Sequence, residues 1–128
     1  PTSATAALSQ ASHTFEGGAG DGLGRGVSAQ ADVDGDGLAD LLLGAPGAGA
    51  GRGEVGLWLS AGLGPVGSHT MAGADHHWTG EATADAAGWS VAGVPDVDGD
   101  GRDDLLVGSF QASGATSPGR VWLLLSPL

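Results

Sequence analysis

The chain contains no cysteine, no lysine and no tyrosine, with a single methionine and two phenylalanines. Without cysteine there is no disulfide, no thiolate nucleophile and no thiolate metal ligand. All four basic residues are arginine, set against 15 acidic residues, for a formal net charge of −11. That balance excludes a basic face for a nucleic-acid backbone and a polybasic segment drawn to anionic lipid. No apolar run approaches the ~20 residues that cross a bilayer as a helix. The chain opens on Pro1 and carries no secretory leader, which fits a mature or excised piece of something longer. With no cysteine, no G-x-S-x-G turn and no convincing His/Ser/Asp set, an enzyme is not expected.

Glycine, at 26 residues, is abundant but lacks a collagen-like period, and the hydrophobic fraction of 41% argues against disorder although much of it is alanine. Large side chains are few beyond four tryptophans. Such a stock suits small sheets stacked closely, where Gly and Ala let backbones approach. Against this background stand two acidic stretches, Asp32-Val33-Asp34-Gly35-Asp36-Gly37-Leu38-Ala39-Asp40 and Asp96-Val97-Asp98-Gly99-Asp100-Gly101-Arg102-Asp103-Asp104. Each places carboxylates at positions 1, 3, 5 and 9 and glycine at 4 and 6.

The two stretches belong to a unit written twice. At an offset of 64, Asp32 to Leu42 falls on Asp96 to Leu106, and Asp21, Gly24, Val27 and Gly44 fall on Asp85, Gly88, Val91 and Gly108. After a two-residue slip, Gly53, Val55, Leu57, Leu59 and Ser60 meet Gly119, Val121, Leu123, Leu125 and Ser126. The slip falls between Gly47–Arg52 and Ser113–Pro118, in turns that tolerate insertion. Residues 1–64 and 65–128 are therefore expected to be two copies of one module.

Each copy reads as strands. Val27–Ala31 and Val91–Val94 precede the acidic loops, and Asp40–Gly44 and Asp104–Gly108 follow them as apolar runs too short for helices. In Glu54–Ser60 and Arg120–Ser126 the aliphatic residues alternate, with Trp58 and Trp122 on the other face and expected at contacts between blades. A weaker fourth strand is expected at Ser68–Ala72, with its counterpart near Ala4–Leu8. Four short strands per repeat with periodic glycine are the pattern of a β-propeller blade. The fold expected is all-β, with two four-stranded antiparallel blades per chain.

Each acidic loop thus joins two strands as a hairpin tip. At about 4 Å and an effective dielectric of about 20, each like-charged pair costs roughly 4 kcal/mol unless a cation sits among them. Oxygen-only donors on a glycine-rich loop suit Ca²⁺, which takes 6–8 oxygens in flexible geometry. The candidate ligands are Asp32, Asp34, Asp36 and Asp40 in one loop and Asp96, Asp98, Asp100 and Asp104 in the other. Leu38 and Arg102, at position 7, would bind through backbone carbonyls, which leaves their side chains free to differ. Two ions would bring the net charge from −11 to −7. An EF-hand or dockerin-like module is the rival, but it needs a glutamate at position 12 and flanking helices. Here position 12 is Leu43 and Val107, within strand patterns.

The string from Gly88-Trp89-Ser90-Val91 through the second acidic loop to Leu105-Leu106-Val107-Gly108 resembles an FG-GAP repeat, the unit of the integrin α-subunit β-propeller and its bacterial relatives. Gly44-Ala45-Pro46 matches the GAP element, whereas the second copy has Gly108-Ser109-Phe110 and the leading aromatic is replaced in Leu23-Gly24 and Ala87-Gly88. The resemblance implies one Ca²⁺ per repeat, in the hairpin between the first two strands. It implies a calcium-binding scaffold for adhesion or ligand binding, extracellular or at the cell surface. Extracellular calcium modules bind at around 10⁻⁴–10⁻³ M.

Propellers close with 4–8 blades, so two blades suit a fragment, a ring made by assembly or a short open solenoid, and the phase of the repeat favours assembly. The second copy ends past its third strand, and the segment near 4–8 of another copy could supply the fourth. The expectation is a cyclic homo-oligomer with an even blade count, such as six blades from three chains or eight from four. His76, His77 and Trp78, expected on a loop, and Trp89, at a strand start, are the remaining candidates for ligand contact. If either tryptophan stacks on a sugar, the chain is a calcium-dependent lectin. Asp21 and Asp85 are expected to cap turns.

Overall fold

Three sheets account for the strands of the computed structural model, which describes residues 4–109 and 118–128. Strands β2 (Gly26–Ala31), β3 (Asp40–Ala45), β4 (Glu54–Trp58) and β6 (His76–Thr79) form a four-stranded antiparallel sheet in that order. Strands β7 (Ser90–Val94), β8 (Asp104–Ser109) and β9 (Arg120–Leu124) form a three-stranded antiparallel sheet. Strands β1 (His13–Glu16) and β5 (Gly67–Thr70) pair in parallel.

The first three strands of each blade lie where the apolar runs predict them. The fourth does not. Gly67–Thr70 is extended, but it pairs with β1, and the outer strand of the first blade is β6. The expected strand near Ala4–Leu8 is not formed: residues 4–7 have no regular structure and Leu8–Gln10 make a 3-10 turn. Its place in the repeat belongs to β1, since His13 stands 64 residues before His77. These strands carry polar residues without a strict alternation, so local pattern could not separate a blade edge from a connecting segment. Among the described residues the second sheet has three strands.

The blades pack face to face. Val33, Leu42, Val55 and Leu57 of the first form one buried cluster with Ala87, Leu105 and Val107, and Trp78, Trp122 and Leu124 pack against it. Small residues make the approach possible. A Cβ on Gly44 would sit 2.1 Å from the Gly88 carbonyl oxygen, and one on Gly93 would sit 2.5 Å from the Ala31 Cβ. Trp122 lies at the contact between blades as expected. Trp58 does not: it packs edge-on against Phe15 of β1, ring centroids 5.1 Å apart, and its ring lies over Gly56. The register explains the difference, because Trp122 occupies the repeat position of Gly56 and Trp58 that of Leu124.

The β1–β5 pair is tied by a histidine couple. His13 Nε2 donates to the Gly64 carbonyl at 3.0 Å, leaving its Nδ1 to accept from His69 Nε2 at 3.1 Å. Phe15 stacks on the His69 ring.

Candidate metal centres

The acidic loops connect β2 to β3 and β7 to β8, so both are hairpin tips without flanking helices, which removes the EF-hand rival. Each closes on its position-1 aspartate. Asp32 Oδ1 accepts from the N–H groups of Gly35 and Asp36, at 2.9 and 3.1 Å, and Oδ2 from Gly37 at 2.8 Å. Asp96 repeats the pattern with Gly99, Asp100 and Gly101 at 2.7, 3.2 and 2.7 Å. Gly35, Gly37, Gly99 and Gly101 all adopt positive φ, between 75° and 90°, a conformation that glycine enters without steric cost.

Carboxylate oxygens converge within these loops. Those of Asp32, Asp34 and Asp36 lie within 4.8 Å of one another, as do those of Asp96, Asp98 and Asp104. Asp40 faces Asp34, and its charge acts on that carboxyl. Asp36 and Asp100 each turn one oxygen to the N–H at position 7, of Leu38 and Arg102. Among the described residues no other group of three metal-ligating side chains converges.

The electrostatics divide the aspartates into two kinds. Burial opposes ionisation of Asp32, but the N–H groups of Gly37 and Gly35 outweigh it and hold the carboxyl below its usual range. At Asp96 the Gly101 N–H is the leading cause of the same lowering. Asp34 and Asp98 move the other way. Partial loss of solvation raises both, and the charges of Asp40 and Asp36 add to it at Asp34. At Asp98 the hydrogen bond with Asp96 and the charges of Asp100 and Asp104 add to that effect. Negative charge is disfavoured at position 3 of both loops, and a cation there would relieve it. An all-oxygen donor set of this density fits Ca²⁺.

The position-9 aspartates also serve a structural purpose that the spacing alone does not reveal. Asp40, 2% exposed, accepts from Val33 N–H at 2.8 Å and Ser60 N–H at 2.9 Å. Asp104, 0% exposed, accepts from Val97 and Ser126 N–H at 2.8 and 2.7 Å. Each therefore pins the start of its loop to the end of the third strand. The match of Ser60 with Ser126 across the repeat was the available signal. Asp21 and Asp85 cap turns as expected, accepting from Gly18 and Ala82 N–H, both at 2.8 Å.

A family model of the FG-GAP repeat matches residues 24–58 and 87–124. The chain belongs to the FG-GAP repeat family. Both matched FG-GAP segments contain an acidic loop with the two strands that flank it. Integrin alpha pat-2 of Caenorhabditis briggsae is 32% identical over 93 residues, a stretch that spans 73% of this chain and 8% of that relative. The all-β, antiparallel blades described above are those of an FG-GAP protein, and no helix among the described residues is long and apolar enough to cross a membrane.

The remaining candidates do not converge on the loops. His76, His77 and Trp78 lie on β6 rather than on a loop. His76 stacks on Trp78, His77 is exposed on the opposite face, and Trp78 packs against the core. Trp89 is half-buried just before β7, with the Arg25 guanidinium 4.3 Å from its ring centroid.

Proposed function

We propose that this chain is a calcium-binding β-propeller module that acts as an extracellular or cell-surface scaffold for adhesion or ligand binding, without catalytic activity. One Ca²⁺ is held in each hairpin loop, two per chain, by Asp32, Asp34, Asp36 and Asp40 with the Leu38 carbonyl, and by Asp96, Asp98, Asp100 and Asp104 with the Arg102 carbonyl. The observation that carries the reading is the convergence of three carboxylates within 4.8 Å in each of two loops of matching sequence. Ion binding to loops that the unfolded chain lacks adds directly to folding stability.

The module is proposed to dock further blades, with a second copy of this chain as the partner. Val121, Leu123 and Leu125 are 68%, 50% and 48% exposed on the free face of the second blade. At the other end, Val27, 63% exposed, lies with Leu41 and Leu43 along an open groove that the first blade shares with Val91 and Ala92 of the second. One free face of each kind supports head-to-tail association, and whole pairs give an even blade count, such as six from three chains or eight from four.

Calorimetric titration of chelator-treated protein with Ca²⁺ tests the metal reading. Two ions per chain are expected, with a gain of about 2.7 kcal/mol per site at a hundredfold excess over Kd. No heat and no rise in melting temperature in millimolar Ca²⁺ would refute it.

A further inference from the structure

The two loops touch, and the contact joins one candidate ligand directly to the neighbour of another. Asp32 N–H donates to Asp103 Oδ2 at 2.9 Å, and Asp103 N–H donates to the Asp32 carbonyl at 3.0 Å. These bonds close a ring between position 1 of the first loop and position 8 of the second. Asp103 immediately precedes Asp104, whose carboxylate converges with Asp96 and Asp98. A second bridge lies beside the first. Ser126 N–H donates to Asp104 Oδ1 at 2.7 Å, and Ser126 Oγ donates to the Val33 carbonyl, also at 2.7 Å. Val33 N–H in turn donates to Asp40 at 2.8 Å. Both position-9 aspartates are thereby linked through one continuous set of hydrogen bonds.

The arrangement has a direction. The first loop carries Ala39 where the second carries Asp103, and Ser60, the counterpart of Ser126, turns its hydroxyl back to the Ala39 carbonyl within its own blade. The second loop thus grips the first, with no equivalent grip built into the first.

We propose that Asp103 is a positioning residue that couples the two cation loops, so that Ca²⁺ in the first raises the affinity of the second. The inference rests on the calcium reading of both loops. An ion bound through the Asp32 carboxylate fixes the backbone of Asp32. Asp103, held at both its N–H and its carboxylate by that backbone, is then fixed with it. Asp104 and the second loop pay less ordering entropy when their own ion arrives, which is positive coupling without a large structural change. The first ion also reduces the negative potential felt by the second, which opposes the effect, and the test separates the two.

The experiment is calcium calorimetry on the full chain in two backgrounds, with circular dichroism to verify folding. In the unsubstituted background, Asp34→Asn disables the first loop, and the affinity of the second is expected to fall at least about fivefold, at the low end of ordinary coupling. In the Asp103→Ala background only the electrostatic opposition remains, so Asp34→Asn is expected to leave the second loop's affinity unchanged or raise it, and a fall as large as in the unsubstituted background would overturn the role of Asp103. Asp103→Asn keeps an oxygen acceptor for Asp32 N–H while removing the charge, and is expected to retain the coupling. A second-loop affinity that ignores Asp34→Asn in the unsubstituted background, while the first loop loses its ion, would overturn the coupling and leave the calcium reading intact. Loss of coupling in Asp103→Asn as complete as in Asp103→Ala would also overturn it, since charge would then be the cause. Absence of calcium heat in the unsubstituted protein would overturn both readings.

Discussion

Leu57 and Leu123 hold the same place in the two repeats, yet Leu57 is 0% exposed and Leu123 is 50% exposed. Val55 and Val121 differ likewise, at 1% and 68%, as do Val33 and Val97, at 0% and 55%. The second blade covers this face of the first, and nothing among the described residues covers it on the second. Leu57→Ala is expected to cost about 2–5 kcal/mol, as for a buried leucine. Leu123→Ala is expected to change unfolding of the dissociated chain by less than about 0.5 kcal/mol. Urea unfolding at low protein concentration checks both. Light scattering in calcium checks the proposed docking, where Leu123→Asp is expected to abolish association. A stable monomer from the unsubstituted chain in millimolar Ca²⁺ would refute the self-assembly.

Position 9 and position 3 of the loops are expected to respond differently to substitution. Asp104→Ala leaves the N–H groups of Val97 and Ser126 without their acceptor, at about 1–3 kcal/mol for each that stays buried. That loss is expected with or without a chelator. Asp98→Ala removes an exposed side chain whose ionised form is disfavoured, so melting is expected to fall only when calcium is present. Melting scans of both variants in calcium and in chelator distinguish the two.

The lowered and raised aspartates are expected to give metal-free protein a two-phase pH response. A carboxyl whose folded pKa is raised, as at Asp34 and Asp98, binds protons more readily in the folded state, so stability rises as pH falls through that folded value. A carboxyl whose folded pKa is lowered, as at Asp32 and Asp96, contributes stability above its unfolded pKa of about 3.9, lost as pH falls through the folded value. In chelator, stability is expected to climb on moderate acidification and then fall below about pH 4. In calcium the climb is expected to vanish, because protons displace the ion. Denaturation at stepped pH with and without Ca²⁺ is the measurement.

Trp58 is 2% exposed, and its indole Nε1 has no hydrogen-bond partner among the described residues. An unpaired buried donor contributes nothing that a phenyl ring would forfeit. Trp58→Phe leaves only the smaller cavity of the missing pyrrole ring and is expected to cost clearly less than Trp58→Ala, which is expected to lose about 3–5 kcal/mol with the packing against Phe15. Thermal unfolding of the two variants decides between packing and the N–H group.

Much of the blade was legible because its signals are local. Asp40–Ala45 and Asp104–Ser109 are short apolar runs bounded by acidic loops and glycine, and they form central strands. The outer strands were not legible. His76–Thr79 and Gly67–Thr70 are both short and polar, and only the pairing of β6 with β4 and of β5 with β1 tells them apart. The roles of the tryptophans followed the same rule. Trp58 and Trp122 share an alternation pattern, but their partners come from different sheets.

The sequence by itself determined the two hairpin tips, the carboxylate spacing within them and the repeat that makes the tips equivalent. These follow from residues close in the chain, where glycine's conformational freedom and the alternation of side chains act directly. Tertiary structure alone decided which face of each blade is covered, where β1 pairs, and that Asp103 of one loop grips Asp32 of the other. Those outcomes depend on contacts between residues tens of positions apart, and two copies of nearly the same sequence meet different neighbours.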